Sequence, residues 1–272
     1  MMKLDSKLAS AILGVAIAFF PAQIAVSLTP QAVSNIAKKV TVLITGAKLG
    51  SGVIIHEQNN TYTVLTNWHV VDTAGTYTVQ TYDQNSHPVA ANLITRLPGV
   101  DLAILQFTSR QKYPVVALGN SDSATEGTTV YVSGAPTPVQ GIETRTVLVP
   151  DGRIVGTNSN PQEGYALIYN NITYPGMSGG PVLDDDGRLV GIHGRGARDK
   201  EGQKVGFNLG IPINIFTNSK IANSLNLKVV TTNTPPTNFT TPPPSNNSRP
   251  GRPTTLNGSG TPGSGVCPGR RC

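Results

Sequence analysis

Between residues 39 and 210 the chain is a succession of short β-branched segments broken by turn-forming Gly, Pro, Asn and Asp, which restricts it to an all-β fold. The segments 40–46, 50–57, 61–66, 76–82, 90–97 and 101–107 form one set. After a gap, 128–134, 144–149, 166–169, 181–183, 189–194 and 204–209 form a second. Two such sets suit two antiparallel six-stranded β-barrels, because closure leaves no strand edge free to pair with another chain. Composition agrees, since 29 Gly, 21 Pro and only 13% charged residues favour strands and turns over long salt-bridged helices. The junction is expected at 117–127, dividing an N-terminal barrel at 28–118 from a C-terminal one at 119–227. Ile215, Ile221, Ala222 and Leu225 are spaced like one helical face, so a short C-terminal helix is expected to pack back on the second barrel.

The two ends differ from this middle. Residues 1–27 read as a secretory signal: Lys3 and Lys7 open it, 8–20 form an apolar run, and Ala25-Val26-Ser27 offers small residues for cleavage. Thirteen residues ending at Pro21 fall short of the roughly 20 that span a bilayer. The expectation is export, to a secreted or periplasmic/cell-envelope location, with no membrane attachment in the mature form. From Thr231 onward the chain turns to Thr, Asn, Ser, Gly and Pro, with nine prolines and few large apolar residues. Such a segment cannot bury enough surface to offset its ordering entropy, so 228–272 is expected to be a disordered tail. Both cysteines, Cys267 and Cys272, lie there, free to bond to each other or to a second chain after export. The formal charge of +6 also resides mostly outside the middle: 28–232 carries 15 Lys and Arg against 14 Asp and Glu. No basic face for nucleic acid can be read from a nearly neutral globular region.

The strongest chemical signal is Pro175-Gly176-Met177-Ser178-Gly179-Gly180-Pro181-Val182. Acyl transfer by serine needs an exposed hydroxyl on a tight turn, with neighbouring N–H groups converging where the carbonyl oxygen becomes negative. Glycines on both sides of Ser178 permit such a turn, and the N–H groups of Gly176 and Ser178 would form the oxyanion hole. A serine also needs a base. Of the four histidines, His69 stands directly after an apolar strand and just before the turn 72–75, where a side chain is held rigidly yet faces a cleft. His56 and His87 read as surface or core. Asp101 opens Asp101-Leu102-Ala103-Ile104-Leu105, a strand otherwise made of core residues, and a carboxylate buried there needs a partner such as His69. The run Asp184-Asp185-Asp186-Gly187 lacks the spaced ligands of a calcium loop and reads as a hairpin turn; no metal or cofactor site is called for.

Gly50-Ser51-Gly52-Val53, Thr66-Asn67-Trp68-His69-Val70-Val71, Asp101-Leu102-Ala103-Ile104-Leu105 and Gly176-Met177-Ser178-Gly179-Gly180-Pro181 occur in the order of bacterial trypsin-like peptidases. The chain resembles that chymotrypsin-fold group, most closely its exported glutamyl endopeptidases and the HtrA protease domain. The resemblance implies a serine endopeptidase with a polypeptide substrate, in which Ser178 is nucleophile, His69 general base and Asp101 the orienting acid. It departs from animal trypsins at Met177, where they carry an aspartate that pairs with a new amino terminus, so a site that forms without zymogen cleavage is expected. It departs again at Gly194, where trypsins carry a serine supporting the triad aspartate. Ile172 replaces the pocket aspartate that selects Lys or Arg. Thr173 and His193 align instead with the threonine and histidine lining the glutamyl endopeptidase pocket, and a partly protonated His193 would favour Glu or Asp before the scissile bond. Gly194 and Gly196 would flank the strand segment that pairs with substrate backbone. The other reading is a catalytically silent protease-fold module used for binding or surface display.

Overall fold

The computed structural model describes residues 27–227; the predicted signal segment, the Pro-rich tail and both cysteines lie outside them apart from Ser27. The chain enters through a helix that strand periodicity does not reveal, α1 (Pro30–Val40). Thr29 caps it, its hydroxyl accepting from Ala32 N at 3.2 Å, and Pro30 follows at the first helical position, where a missing N–H costs nothing. Lys38 and Lys39 sit in the last turn, where the helix dipole favours cations. The buried face is Val33, Ile36, Ala37 and Val40, the spacing of a single helical stripe. These residues share one buried cluster with Tyr131, Leu183 and Leu189 of the second barrel.

The first sheet has seven strands: β1 (Thr41–Thr45), β2 (Leu49–Gln58), β3 (Thr61–Thr66), β4 (Tyr77–Gln80), β5 (Ser86–Val89), β6 (Ile94–Arg96) and β7 (Ala103–Thr108). Their order is β5-β4-β1-β2-β3-β7-β6. The sheet curls until His87 of β5 stacks on Phe107 of β7, ring centroids 4.5 Å apart. Six strands were expected here. The additional one is β5, whose Pro88 lacks an N–H and so suits only a sheet edge. The segment expected at 90–97 opens as a 3-10 turn, Ala91–Leu93, before β6 begins.

The second sheet closes into a six-stranded barrel, ordered β10-β13-β12-β11-β8-β9. Its strands are β8 (Thr129–Val132), β9 (Asp151–Thr157), β10 (Leu167–Tyr169), β11 (Pro181–Leu183), β12 (Leu189–Arg198) and β13 (Lys204–Pro212). The expected strand at 144–149 is absent except for a bridge from Leu148 to Gly134. Arg145 draws this segment aside, its guanidinium donating to the carbonyls of Ile44, Gly50 and Ala135. The strand that fills the place, β9, buries only Ile154 and so carries little apolar signal. Asp184 to Arg188 form the expected hairpin, with the Asp184 carboxylate accepting from Asp186 N and Arg188 N. The terminal helix is split in two, α3 (Ile213–Thr217) and α4 (Lys220–Ser224), because Ser219 restarts it as a cap on Ala222 N. A single helical turn, α2 (Trp68–Val71), follows β3, so the α-helices among the described residues are α1, α2, α3 and α4.

Candidate active site

Strand register brings the acid and the base together. β3 and β7 pair antiparallel with Thr66 opposite Ala103, so the residues that leave β3 lie beside those that enter β7. His69, on α2, and Asp101, just before β7, meet there. Asp101 Oδ1 accepts from the His69 backbone N at 2.8 Å, and Oδ2 lies 2.6 Å from His69 Nδ1. Asn67 Nδ2 donates to the Asp101 carbonyl at 3.0 Å, fixing the same corner from the other side. Asp101 is 1% exposed. Burial alone would raise its pKa, but hydrogen bonds from His69 and Tyr165 outweigh this and hold the carboxyl below its usual value. An ionised Asp101 only accepts, so His69 Nδ1 carries the ring proton and Nε2 is left as the basic nitrogen.

The Ser178 turn is held from both sheets. Gly179 N donates to His193 O at 2.8 Å and His193 N to Gly180 O at 2.9 Å, extending the pairing of β11 with β12 past its end. Ser51 N donates to Ser178 O at 2.8 Å, while Ser51 Oγ donates to Gly176 O at 2.9 Å and accepts from Ala135 N at 2.9 Å. Gly179 has φ +87, and a Cβ there would stand 2.1 Å from both Ser51 O and Thr66 Oγ1. Only glycine lets the turn approach β3, the strand that leads to His69. Among the described residues the N–H groups of Gly176 and Ser178 have no hydrogen-bond acceptor. Met177, where animal trypsins have aspartate, is wholly buried among Val132, Val182 and Val190.

The serine hydroxyl makes no hydrogen bond to the imidazole in this conformation. Ser178 Oγ donates to Gly194 O at 2.9 Å. That carbonyl is available because the β12–β13 register passes from His193↔Gly210 to Arg195↔Leu209, leaving Gly194 as a bulge outside the ladder.

Gly194 also resolves what supports Asp101 in place of a serine. A Cβ at Gly194 would lie 2.2 Å from the hydroxyl oxygen of Tyr165. Tyr165 Oη occupies that space and donates to Asp101 Oδ2 at 2.5 Å. Arg195 lies over the Tyr165 ring, 4.4 Å from its centroid, forms an ion pair with Glu163, and stands 3.5 Å from Asp101 Oδ2. Sequence reasoning missed Tyr165, although Tyr165, Leu167 and Tyr169 alternate along one buried face at the start of β10.

The expected pocket residues are buried but not joined to each other. Thr173 Oγ1 donates to Asn208 Oδ1 at 2.5 Å, and Asn208 Nδ2 donates to Asn171 O. His193 Nδ1 lies 2.7 Å from Tyr169 Oη. The partly protonated His193 expected from sequence is not found: burial first, then the charges of Lys204 and His69, push its pKa down to about 3. The cation at this place is Lys204, unremarked in the sequence. Its Nζ donates to Thr173 O at 2.8 Å and lies 3.3 Å from Thr173 Oγ1, with its stem across Gly196. Gly196 pairs with Asn208 in the β12–β13 ladder.

Residues 50–192 match the family described as "Trypsin-like peptidase domain". The chain is 32% identical over 173 residues to "Serine protease Do-like HtrA" of Bacillus subtilis (strain 168), covering 61% of this chain and 37% of the relative. It is 32% identical over 181 residues to "Probable periplasmic serine endoprotease DegP-like" of Marinomonas sp. (strain MWYL1), covering 66% and 35%. The match thus spans little more than a third of either relative's length. In fold it is similar to "HtrA-type protease AlgW with tripeptide", with TM-score 0.59, 24% identity and coverage of 72% of this chain and 63% of the other. The matched stretch takes in His69, Asp101, Ser178 and the strands that carry them, and the chain belongs to the trypsin-like peptidase domain family.

Proposed function

We propose that this chain is a serine endopeptidase working through Ser178, His69 and Asp101, the first from the segment 119–227 and the other two from 28–118. The carrying observation is the doubly hydrogen-bonded His69–Asp101 pair, which leaves Nε2 as a base, with the Ser178 turn packed against the strand that leads to His69. The reaction requires Ser178 Oγ to leave Gly194 O and donate to Nε2 instead. The imidazole then takes the hydroxyl proton as Oγ attacks the scissile carbonyl, and the imidazolium is stabilised by ionised Asp101. The negative oxygen of the tetrahedral intermediate is received by Gly176 N–H and Ser178 N–H, donors that have no other acceptor among the described residues. Proton return to the leaving amine yields the acyl-enzyme, and water reverses the sequence. Labelling by a fluorophosphonate, abolished in Ser178→Ala, tests this directly. A folded wild-type protein that never labels would instead support the silent binding or display module.

The finer reading is a preference for Glu or Asp before the scissile bond. Neutral His193 offers no charge, so the attraction falls to Lys204, whose ammonium borders Thr173 and would form a charge-assisted bond to a substrate carboxylate. Peptides differing only at that position decide between this and an apolar preference; efficient cleavage after Leu with none after Glu ends the acidic reading. The relatives' printed names and the predicted signal segment together support a periplasmic or secreted location. The solved HtrA-type protease with its tripeptide supports a polypeptide substrate.

A further inference from the structure

We propose that Tyr165 is the positioning residue for Asp101, its hydroxyl filling the space a serine side chain at position 194 would occupy. The inference rests on the reading of Asp101 and His69 as catalytic partners. Two observations carry it: the 2.5 Å bond from Tyr165 Oη to Asp101 Oδ2, and the 2.2 Å that would separate that oxygen from a Cβ at Gly194. Tyr165 and a side chain at 194 exclude each other, so the glycine and the tyrosine act as a pair. The ring is fixed on several sides. Tyr165 N donates to Gln162 O, and Arg195 covers the ring face while paired with Glu163, whose own carbonyl accepts from Asp101 N at 3.0 Å. One short segment, 162–165, therefore holds both the backbone and the carboxylate of Asp101.

The hydroxyl is suited to donate at any working pH, since burial, and then the Asp101 charge, raise its pKa far above the usual tyrosine value. Oδ2 thereby accepts from Tyr165 and from His69 Nδ1, while Oδ1 accepts from His69 N. The Tyr165 bond thereby fixes how the carboxylate is turned toward His69 Nδ1. The other charged or titratable groups facing this pair are Arg195 and Glu163 near Asp101, and Lys48, Asp72 and His193 near His69.

Tyr165→Phe keeps the ring and removes the bond. In the full chain, kcat is expected to fall about tenfold, the loss of one charge-assisted bond, with KM unchanged. The acid limb of the kcat/KM profile is expected to move to higher pH. Gly194→Ser with Tyr165 intact is expected to lose a comparable factor through collision, and Tyr165→Ala/Gly194→Ser to recover activity over Tyr165→Ala alone. Unchanged kcat and an unmoved pH profile in Tyr165→Phe overturn the proposal. If Tyr165→Phe does not fold, Gly194→Ser decides: folded protein with wild-type kcat overturns it, and a loss supports it. A wild-type chain without peptidase activity counts against the function rather than against Tyr165. NMR titration of the His69 ring in Ser178→Ala then decides, and an identical titration with and without the tyrosine hydroxyl overturns the proposal.

Discussion

Lowering the pH from 7.5 to 4.5 should destabilise this protein through His193, an imidazole kept neutral by the fold. The side chain is 2% exposed, bonded to Tyr169 Oη at 2.7 Å and close to the Lys204 charge, with a pKa near 3 against 6.5 for the free residue. Above pH 6.5 both folded and unfolded forms hold it neutral, and it contributes nothing to pH dependence. Below that, the unfolded chain binds a proton the folded chain refuses, so stability falls with pH until the folded pKa is reached. A gap of about 3.5 pH units at about 1.36 kcal/mol each corresponds to roughly 4 to 5 kcal/mol in total. About 2 to 3 kcal/mol of it is lost by pH 4.5, a large share of the 5–15 kcal/mol typical of folded domains. Urea unfolding of Ser178→Ala, chosen to prevent self-digestion, would be followed from pH 7.5 to 4.5 with and without His193→Gln. His87 is also pushed down by burial, but it is present in both backgrounds and cancels in the difference. Parallel stability curves for the two proteins, or an NMR titration of His193 near pH 6.5, would refute the reasoning.

Three further outcomes are expected. Gly179→Ala must place a Cβ 2.1 Å from Ser51 O in a backbone with φ +87, so destabilisation of roughly 2–5 kcal/mol is expected from overpacking and positive φ together; an unchanged melting temperature would contradict the tight approach of the Ser178 turn to β3. Asp101→Asn retains the shape but loses the charge that fixes the His69 tautomer, and kcat should fall by roughly four orders of magnitude while fluorophosphonate labelling slows in parallel; a variant within tenfold of wild type would remove Asp101 from the mechanism. Lys204→Met should cut cleavage after Glu by about tenfold or more and leave cleavage after Leu unchanged, and an equal loss on both peptides would mean that Lys204 supports the fold rather than the preference.

What could be read from sequence, and what could not, divides according to the range of the interaction. The apolar, β-branched character of β1, β2, β3 and β7 is written locally, because each is a short run buried along most of its length, and a fold of two β-barrel-like sheets follows from it. The order of motifs around His69, Asp101 and Ser178 is equally local, because each needs a particular turn or strand end. Two strands were harder: β5 and β9 bury one residue each, so periodicity has almost nothing to record. Helix α1 did carry its signal, a Thr-Pro start and a four-residue apolar stripe, in a stretch where no helix was sought. The site residues left unread are those defined by absence elsewhere. Nothing adjacent to Tyr165 announces a bond to Asp101; the cue is Gly194, 29 positions later, where a side chain expected to support the carboxylate is missing. A buried carboxylate must be satisfied from some direction, so the loss of one donor implies another whose reach matches the vacated space. His193 follows the same logic in reverse. Its identity suggested a charged pocket, but buried against Tyr169 and close to the Lys204 charge the imidazole stays neutral, and the cation beside Thr173 is Lys204 from the neighbouring strand. Residue type predicts chemistry only as far as the surroundings allow the ionised form to exist.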